Sequence, residues 1–551
     1  MTENRYLNWL SCPGMPEELK NELRSMDQKT IRDCFCRNLE FGTGGLRGVL
    51  GAGTNRMNVY TVLKATKGLA HYLLGRYSAP VCVIGYDSRI HSFDFTLITA
   101  AALAELGITV WIFPRLEPTP MLSFAVRHLS ASAGIMITAS HNPSRFNGYK
   151  VYGSDGCQIT NHDADQIMEE ISRQPELSDS LPDFSLYRDS GLIRQVLPET
   201  IEAYYQAVLS LRVGQMTSPL HVIYSPLNGT GNEPVREILS RIGQVRVDPV
   251  PEQELPDGQF PTCPVPNPEM PEAMSLLYRD TLSRKADFCF ATDPDCDRLG
   301  VGVRLGDRIV PLSGNDVGIL LLDYLCRRKA LNPALPPVVV KTIVTTDMAL
   351  PLCAKYGVEV RNVLTGFKYI GEQIGLLEKD GQLDRFLFGF EESCGYLSGT
   401  DVRDKDAVNA VLLLCGLASE LKSQNRNLLD RLQELRSEFG CYVQRLLSYQ
   451  FEGADGMDKM NAIMNSLRSR LSDANRFPLP LTGYTDYLQD NTGLPKSNVI
   501  EFRLAEEQKI IIRPSGTEPK LKVYLFARNQ TQDQGEQSLD RLQAQMNNIL
   551  K

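Results

Sequence analysis

The sequence contains no run of about 18 apolar residues, so it offers no helix long enough to cross a bilayer. Its first residues, MTENRYLNWL, lack the basic stretch and apolar run of a secretory signal peptide. The 13 cysteines form no regular framework, and Cys34 and Cys36 have no second pair with which to bind zinc. We therefore expect a cytoplasmic protein with reduced thiols and no membrane association.

An excess of positive charge is also lacking. Lys and Arg total 58 against 66 Asp and Glu, which gives a formal net charge of -8 and disfavours nucleic acid as a partner. A negatively charged protein that binds phosphate must concentrate its cations locally, so individual Arg and Lys positions are informative. The ordinary composition and the length of 551 residues predict a globular protein of roughly three to five domains.

Strand-like and helix-like segments alternate along most of the chain. Predicted strands at 81–87, 108–113 and 134–138 are separated by helices, and the alternation restarts near 221 and 338. This pattern predicts an α/β fold with three related domains, whose sheets are mixed and mainly parallel, followed by a C-terminal α+β domain. The predicted divisions are a helical extension and four domains: 1–40, 41–198, 199–305, 306–436 and 437–551.

The segment TASHNP (138–143) directly follows an apolar strand. In open α/β sheets ligands bind beyond the carboxyl ends of strands, so Ser140 is a candidate nucleophile. His141 is adjacent to it, and Lys150 follows shortly after. Ser, Asn and Pro are common turn residues, however, and taken alone this segment is more typical of a structural turn.

The segment DPDCDR also follows a strand and offers three carboxylates, Asp293, Asp295 and Asp297. At alternating positions of an extended loop they can converge on a hard cation such as Mg²⁺. An EF-hand needs Gly at its sixth position and an acid at its twelfth, where this sequence has Arg298 and Arg304. A solvated acidic loop is the alternative, but three crowded carboxylates repel one another without a cation, which favours a metal site.

A third segment, FEESCGY (390–396), follows another strand. Glu391 and Ser393 offer groups that bind sugar hydroxyls, although a capped helix start explains the same residues equally well. The charged run that ends in Lys405 and Asp406 is typical of a solvated helix entrance. Lys405 can nevertheless act as an acid or base if its surroundings lower its pKa.

A fourth segment, RPSGTEPK (513–520), lies between two strand-like runs. Its side chains and backbone amides suit an anion-binding nest, and a polar turn is the equal alternative. The candidate phosphate ligands are Arg513, Ser515, Gly516 and Thr517. Two weaker signals are GTGGLRG (42–48), a phosphate or turn loop with Arg47, and GFKYIGE (366–372) with the preceding Thr365, a candidate substrate loop.

These four loops, in this order, resemble those of the α-D-phosphohexomutase family, which includes phosphoglucomutase and phosphomannomutase. The resemblance covers nearly the whole chain from about residue 40, and its N-terminal part is most similar to the phosphoglucomutase-2-like branch. It implies four domains around a central cleft. It also implies that Ser140 is phosphorylated and that one oxygen of the phosphoserine joins Asp293, Asp295 and Asp297 in holding Mg²⁺.

The same resemblance assigns roles to the other candidates. Cationic and polar positions near the phosphoserine correspond to Arg47, His141, Lys150 and Lys405. The sugar-binding positions correspond to Glu391 and Ser393, and the loop for the non-reacting phosphate to Arg513, Ser515, Gly516 and Thr517. Further substrate contacts are assigned to Arg298, Thr365, Gly366 and Arg403.

The implied activity is the interconversion of hexose 1-phosphate and hexose 6-phosphate through a sugar 1,6-bisphosphate, with glucose as the expected sugar and glucose 1,6-bisphosphate as activator. Phe390 and Tyr396 depart from common family patterns, which leaves phosphomannomutase or phosphopentomutase activity as alternatives. A glucose 1,6-bisphosphate synthase uses the same loops. A silent sugar-phosphate-binding protein is disfavoured because every candidate nucleophile and ligand is present. The expected partners are small sugar phosphates, and the chain is expected to be a monomer or homodimer.

Overall fold

The computed structural model describes residues 2–42, 44–329, 332, 334–451, 456–471, 479–515 and 520–550. The chain divides into two compact units, formed by Met1–Ala330 with Phe367–Asn425 and by Leu331–Gly366 with Arg426–Lys551. All 13 cysteines are free. Among the described residues no helix is both long and apolar enough to cross a membrane.

Three short helices open the first unit: Thr2–Leu10 (α1), Glu17–Ser25 (α2) and Gln28–Phe35 (α3). Asp27 caps α3 by accepting a hydrogen bond from the backbone N–H of Thr30. Trp9 packs edge-on against Phe35 and Tyr60, with ring centroids 5.6 and 5.5 Å away. The N-terminal extension is therefore helical and shares a core with the segment that follows it.

A seven-stranded sheet comes next, and its strands are Phe41–Gly42 (β1), Gly45–Val49 (β2), Val81–Tyr86 (β3), Thr109–Ile112 (β4), Ala133–Ile137 (β5), Phe146–Gly153 (β6) and Ile193–Gln195 (β7). The helices of this region are Val59–Leu74 (α4), Ser92–Glu105 (α5), Thr119–His128 (α6), Asn161–Ser172 (α7), Phe184–Asp189 (α8) and Pro198–Ser210 (α9). The strand order is β1-β2-β6-β5-β3-β4-β7. Parallel pairs join β5, β3, β4 and β7, whereas β1, β2 and β6 are antiparallel additions.

The parallel strands form where the sequence has continuous apolar runs, since strands buried on both faces need apolar side chains on both. The interpretation of GTGGLRG as a loop is wrong for its second half, because residues 45–49 form β2. Strand β2 pairs with β6 and places Arg47 opposite Gly148. This pairing brings Arg47 to the sheet edge that carries the TASHNP loop.

A five-stranded sheet follows in the first unit, with strands Leu220–Ser225 (β8), Val245–Pro249 (β9), Phe288–Thr292 (β10), Leu299–Leu305 (β11) and Arg308–Leu312 (β12). Its helices are Asn232–Ile242 (α10), Pro251–Glu254 (α11) and Pro271–Ser283 (α12). The order is β12-β11-β10-β8-β9. Strands β9, β8 and β10 are parallel, whereas β11 and β12 pair antiparallel, so the acidic segment lies in the turn between β10 and β11.

The next elements are Gly314–Arg328 (α13), Val338–Thr342 (β13), Ala349–Tyr356 (α14), Glu359–Val363 (β14), Phe367–Lys379 (α15), Phe386–Glu391 (β15), Gly395–Leu397 (β16) and Ala407–Ser423 (α16), with a 3₁₀ helix at Leu383–Arg385. In the first unit β15 and β16 form an antiparallel hairpin, and Asp406 caps α16. In the second unit β13 and β14 are parallel and are connected through α14.

The rest of the second unit is an α+β arrangement of Leu428–Phe439 (α17), Cys441–Gln450 (β17), Gly456–Leu471 (α18), Leu481–Asp486 (β18), Ile500–Leu504 (β19), Lys509–Pro514 (β20), Lys520–Asn529 (β21) and Gln532–Ile549 (α19). The five strands form an antiparallel sheet of order β17-β21-β20-β19-β18. Asp347 accepts hydrogen bonds from Lys341 of β13 and Lys509 of β20 at 2.9 and 2.6 Å. The predicted α/β class with mixed sheets and an α+β end is confirmed.

Candidate active site

The Ser140 loop lies between β5 and β6 and is held rigidly from inside the protein. Ser140 is buried and has a left-handed backbone, with φ at +52°. Its backbone N–H donates to Thr138 Oγ1 at 2.8 Å, and Thr138 in turn donates to Asp87 Oδ2 at 2.6 Å. A left-handed conformation costs free energy for a residue with a side chain, so these contacts fix a conformation that the loop alone would rarely adopt.

Arg89 provides the second support of this loop. Its guanidinium donates to four backbone carbonyl oxygens, those of Ser140, Asn142, Pro143 and Phe146. Both Arg89 and its ion-pair partner Asp87 are buried, with Nε and Oδ2 3.3 Å apart. Sequence reasoning missed this pair. The sequence feature that could have revealed it is the polar triplet Asp87-Ser88-Arg89, which follows strand β3 at the sheet edge that carries the Ser140 loop.

The side chain of Ser140 points at the acidic turn. Its hydroxyl donates to Asp293 Oδ2 at 2.7 Å and lies 3.1 Å from His141 Nδ1. Burial, together with the positive charges of Arg298 and Arg47, lowers the pKa of His141 well below its usual value. Ser140 therefore lies between a carboxylate and a neutral imidazole.

Asp293, Asp295 and Asp297 are all buried, and each can place one carboxylate oxygen within 4.8 Å of the others. Asp293 Oδ1 accepts the backbone N–H groups of Asp297 and Arg298 at 3.1 and 3.0 Å, which shapes the turn. The Oδ1 atoms of Asp295 and Asp297 are buried and have no hydrogen-bond partner within the described part of the chain. Buried carboxylate oxygens without partners fit a hard divalent cation such as Mg²⁺.

The other carboxylate oxygens of the cluster contact cations and a hydroxyl. Lys150 Nζ lies 2.7 Å from Asp295 Oδ2, and Lys405 Nζ lies 3.1 Å from Asp297 Oδ2. Thr119 donates to Asp295 twice, from its hydroxyl to Oδ2 at 3.0 Å and from its N–H to the backbone oxygen at 2.9 Å. The sequence did not single out Thr119, which begins α6.

The pKa values of the three aspartates shift in different directions. Burial and the neighbouring carboxylates raise the pKa of Asp293 well above its usual value, and burial and Asp295 raise the pKa of Asp297. For Asp295 the raising effect of burial is outweighed by Lys150, which lowers its pKa. Three ionised carboxylates at this site therefore need more positive charge than the lysines supply.

The FEESCGY segment forms the turn of the β15–β16 hairpin, so the alternative of a capped helix start is wrong. Glu391 is buried at the end of β15, and Ser393 is half-buried in the turn. The carbonyl oxygen of Cys394 accepts the N–H of Leu299 at 3.0 Å, which joins this hairpin to the strand after the acidic turn. Glu391, Ser393 and the carboxylate cluster are thereby assembled in one unit.

The charged run before α16 is not a solvated helix entrance, because Arg403, Asp404 and Asp406 are buried. Arg403 donates to the backbone oxygen of Thr400 and forms an ion pair with Glu378, with Nη2 and Oε2 3.0 Å apart. The structure therefore places Arg403 in support of this segment, whereas Lys405 reaches the carboxylate cluster.

The remaining candidate cations are Arg47, which contacts the Ser140 loop, and Arg298, which belongs to the acidic turn. Arg47 Nη1 donates to Asn142 Oδ1 at 3.2 Å, and Arg298 forms an ion pair with Glu269. Arg298 Nε is buried and has no hydrogen-bond partner among the described residues. Both guanidinium groups keep donors with which to bind a phosphate.

The second unit carries the other candidates. Thr365 and Gly366 follow β14, and Gly366 has φ at +124°. Arg513 lies on β20, and Ser515 donates its N–H to the carbonyl oxygen of Lys520 at 2.8 Å. The remaining candidates of this loop lie outside the described residues: Gly516 and Thr517.

The chain matches four family models along its length. These are the phosphoglucomutase/phosphomannomutase alpha/beta/alpha domains I, II and III and the C-terminal domain of the same family, over residues 38–178, 202–306, 313–438 and 468–543. A phosphoglucomutase of Staphylococcus epidermidis is 38% identical over 539 residues, which cover 94% of this chain and 96% of the relative. A phosphoglucomutase of Staphylococcus aureus is 36% identical over 508 residues, 90% of each chain.

Solved structures share the fold. A putative phosphomannomutase from Thermus thermophilus has a TM-score of 0.66 at 23% identity and covers 92% of this chain and 99% of its own. The phosphoglucomutase parafusin from Paramecium has a TM-score of 0.69 at 17% identity, with 93% and 95% covered. Fold and relatives define a mutase, an isomerase that acts on hexose phosphates. The chain belongs to the phosphoglucomutase/phosphomannomutase family.

We expect Gly395→Ala to lower kcat by about 10- to 100-fold, because a shift of about 1 Å in a cation that contacts the carboxylate cluster disturbs the geometry on which turnover depends. A Cβ at Gly395 would lie 2.3 Å from Lys405 Cδ and 2.8 Å from its Cγ, so Lys405 must move away from Asp297. Steady-state kinetics of the purified variant measure the effect.

The control for this variant is Gly375→Ala, since a Cβ at Gly375 meets no atom within 4 Å. It should retain the kcat of the wild type and gain about 0.5–1 kcal/mol in the free energy of unfolding, because glycine weakens a helix interior. Equal kcat values for Gly395→Ala and the wild type would refute the placement of Lys405.

Proposed function

We propose that the chain interconverts glucose 1-phosphate and glucose 6-phosphate, with Ser140 as the phosphoryl carrier. The observation that carries this proposal is the 2.7 Å hydrogen bond from Ser140 Oγ to Asp293 Oδ2, because it places a hydroxyl beside the buried carboxylate cluster. The names of the relatives at 36% and 38% identity favour glucose as the sugar.

The proposed reaction has two balanced transfers. In the first, the bond between phosphorus and Ser140 Oγ breaks, a bond to the free sugar hydroxyl forms, and the hydroxyl proton ends on Oγ. The resulting glucose 1,6-bisphosphate turns around and returns its other phosphoryl group to Oγ by the reverse exchange. Negative charge spreads over the phosphoryl oxygens in both transfers, so preorganised cations lower the barrier.

Asp293, Asp295 and Asp297 are proposed to hold Mg²⁺. When bound, this ion supplies concentrated positive charge for phosphoryl transfer. Support comes from the two buried Oδ1 atoms that have no partner among the described residues. Lys150 and Lys405 keep the remaining oxygens oriented through their contacts with Asp295 and Asp297.

The neighbouring cations are proposed to stabilise the transferring group. Against the effect of burial, Asp297 and Asp404 raise the pKa of Lys405, so its ammonium stays charged and stabilises the phosphoryl oxygens. Arg47 and Arg298 carry guanidinium donors for the same group. His141 Nδ1 lies 3.1 Å from Ser140 Oγ, and its lowered pKa keeps it a neutral imidazole that can exchange a hydrogen bond with this oxygen.

Sugar recognition is proposed at Glu391 and Ser393, whose carboxylate and hydroxyl suit vicinal hydroxyl groups. The phosphate that does not react is assigned to the second unit, with the proposed ligands Arg513, Ser515, Gly516 and Thr517. Thr365 and Gly366 are proposed as further substrate contacts. We place the enzyme in the cytoplasm, as a monomer or homodimer, and glucose 1,6-bisphosphate is its proposed activator.

The test is parallel kinetics on glucose 1-phosphate, mannose 1-phosphate and ribose 1-phosphate, each with Mg²⁺ and with or without glucose 1,6-bisphosphate. We expect the largest kcat/KM on glucose 1-phosphate and activation by the bisphosphate. A larger kcat/KM on mannose or ribose 1-phosphate would overturn the choice of sugar. Stoichiometric release of glucose 1,6-bisphosphate as the product would identify a synthase instead of a mutase.

A further inference from the structure

Lys405 stands between two buried aspartates that each accept a hydrogen bond from a tyrosine. Tyr152 of β6 donates to Asp404 Oδ2 at 2.9 Å. Tyr204 of α9 lies 3.2 Å from each carboxylate oxygen of Asp406. Both tyrosines are fully buried, and burial together with the adjacent carboxylate raises the pKa of each well above its usual value, so both stay protonated donors.

The contact with Tyr152 determines how Asp404 meets Lys405. Asp404 Oδ1 accepts from the backbone N–H of Lys405 at 2.7 Å and from its Nζ at 3.2 Å. Because a carboxylate is planar, a fixed partner on Oδ2 sets the direction in which Oδ1 faces. The ammonium of Lys405 is thereby shared between Asp404 and Asp297, whose Oδ2 lies 3.1 Å from Nζ.

The contact with Tyr204 fixes the residue on the other side. Asp406 accepts the N–H of Asn409 at 2.9 Å as the cap of α16, and its own N–H donates to the carbonyl oxygen of Tyr396 at 2.8 Å. The hydrogen bonds from Tyr204 connect this helix cap to α9, which lies earlier in the chain. The backbone on both sides of Lys405 is therefore anchored to elements more than 190 residues away in sequence.

We propose that Tyr152 and Tyr204 are positioning residues for Lys405, and that Tyr152 acts through the carboxylate of Asp404. The inference rests on the proposed function, in which Lys405 stabilises the transferring phosphoryl group. Without the Tyr152 hydroxyl, the buried carboxylate of Asp404 loses one hydrogen bond and can rotate. Lys405 is then held less firmly against Asp297.

The first experiment compares three Tyr→Phe variants, each of which removes only a hydroxyl. Tyr152→Phe should lower kcat about tenfold, as loss of one hydrogen bond to a charged group predicts. Tyr204→Phe should lower it less, about threefold, because Asp406 makes no contact with Lys405 Nζ like that of Asp404. KM should stay within about twofold in both variants. The matched control is Tyr205→Phe, next to Tyr204 on α9. The buried hydroxyl of Tyr205 has no hydrogen-bond partner in the described part of the chain, so the kcat of Tyr205→Phe should equal that of the wild type.

A double-mutant cycle separates positioning from general stability. In a Lys405→Met background, Tyr152→Phe should cause no further loss of turnover, because the group that it positions is absent. A further tenfold loss in that background, or an unchanged kcat for Tyr152→Phe alone, would overturn the proposal. Melting temperatures of all variants identify any loss that comes from unfolding.

A third measurement needs no turnover. Trace acetylation with acetic anhydride in the presence of Mg²⁺, read by mass spectrometry, reports how tightly the Lys405 amine is held. We expect faster acetylation of Lys405 in Tyr152→Phe than in the wild type and no change in Tyr205→Phe. Equal rates in all three proteins would refute the positioning role. A wild type without mutase activity would refute the proposed function instead, and the acetylation rates would still decide the role of Tyr152.

Discussion

Replacement of Ser140 by alanine is expected to lower turnover by more than about 10³-fold, as removal of a covalent carrier does in other enzymes. Ser140 Oγ is the atom that contacts Asp293 at the carboxylate cluster, and alanine has no atom that can carry the phosphoryl group. The fold should persist, because the loop is fixed by backbone contacts to Thr138 and Arg89 that alanine retains.

The matched control is Ser130→Ala. Ser130 is exposed and also has a left-handed backbone, with φ at +50°, so the same side-chain change is made in the same conformation. It should retain wild-type turnover. Intact mass after incubation with glucose 1,6-bisphosphate should rise by about 80 Da in the wild type and in Ser130→Ala but not in Ser140→Ala. Turnover above one-tenth of wild type in Ser140→Ala would exclude Ser140 as the carrier.

The parallel centres of the sheets could be predicted because they consist of continuous apolar runs. Their antiparallel edges could not, since β2, β6 and β11 contain glycines that weaken a strand pattern. Gly148 shows why these glycines are needed. A Cβ there would lie 2.5 Å from the carbonyl oxygen of Thr138 and 2.9 Å from that of Leu46. Neighbouring backbones approach so closely here that glycine is required. Glycine has no side chain to add to the apolar pattern by which a strand is predicted.

The candidate nucleophile and metal ligands could be identified in the sequence, whereas the residues that hold them in place could not. Ser140 and the three aspartates stand in short segments after apolar strands. The order of the four loops marks Ser140 as a candidate, whereas its own segment is more typical of a turn. Thr119 and Tyr152 act on residues 176 and 252 positions away, respectively, and their local sequence is ordinary. Only the folded chain shows that these hydroxyls orient Asp295 and Asp404.

Asp293→Asn is expected to stabilise the metal-free protein and to abolish its response to Mg²⁺. Burial and two neighbouring carboxylates raise the pKa of Asp293, so its ionised form costs folding free energy at neutral pH. Asparagine removes that charge, and its Oδ1 still accepts the N–H groups of Asp297 and Arg298. In EDTA the melting temperature should rise by about 2 °C, as a gain of about 1 kcal/mol predicts for a long chain.

With Mg²⁺ the wild type should become more stable than Asp293→Asn. At 100 times its Kd, Mg²⁺ stabilises the wild type by about 2.7 kcal/mol, whereas Asp293→Asn offers an amide nitrogen where the cation needs an oxygen. Turnover of the variant should fall by more than about 100-fold, as loss of a metal ligand predicts. Thermal melts in EDTA and across a Mg²⁺ titration measure the difference in melting temperature between variant and wild type under both conditions.

The control for this variant is Asp323→Asn, the same substitution at another fully buried aspartate. Asp323 Oδ2 forms an ion pair with Arg327 Nε at 2.9 Å, so loss of its charge leaves Arg327 paired with Glu420 alone and should lower the melting temperature in EDTA and Mg²⁺ alike. Its Mg²⁺-dependent shift should equal that of the wild type. A full Mg²⁺-dependent shift in Asp293→Asn would show that the cation binds elsewhere, because charge removal at its own site cannot leave its affinity unchanged.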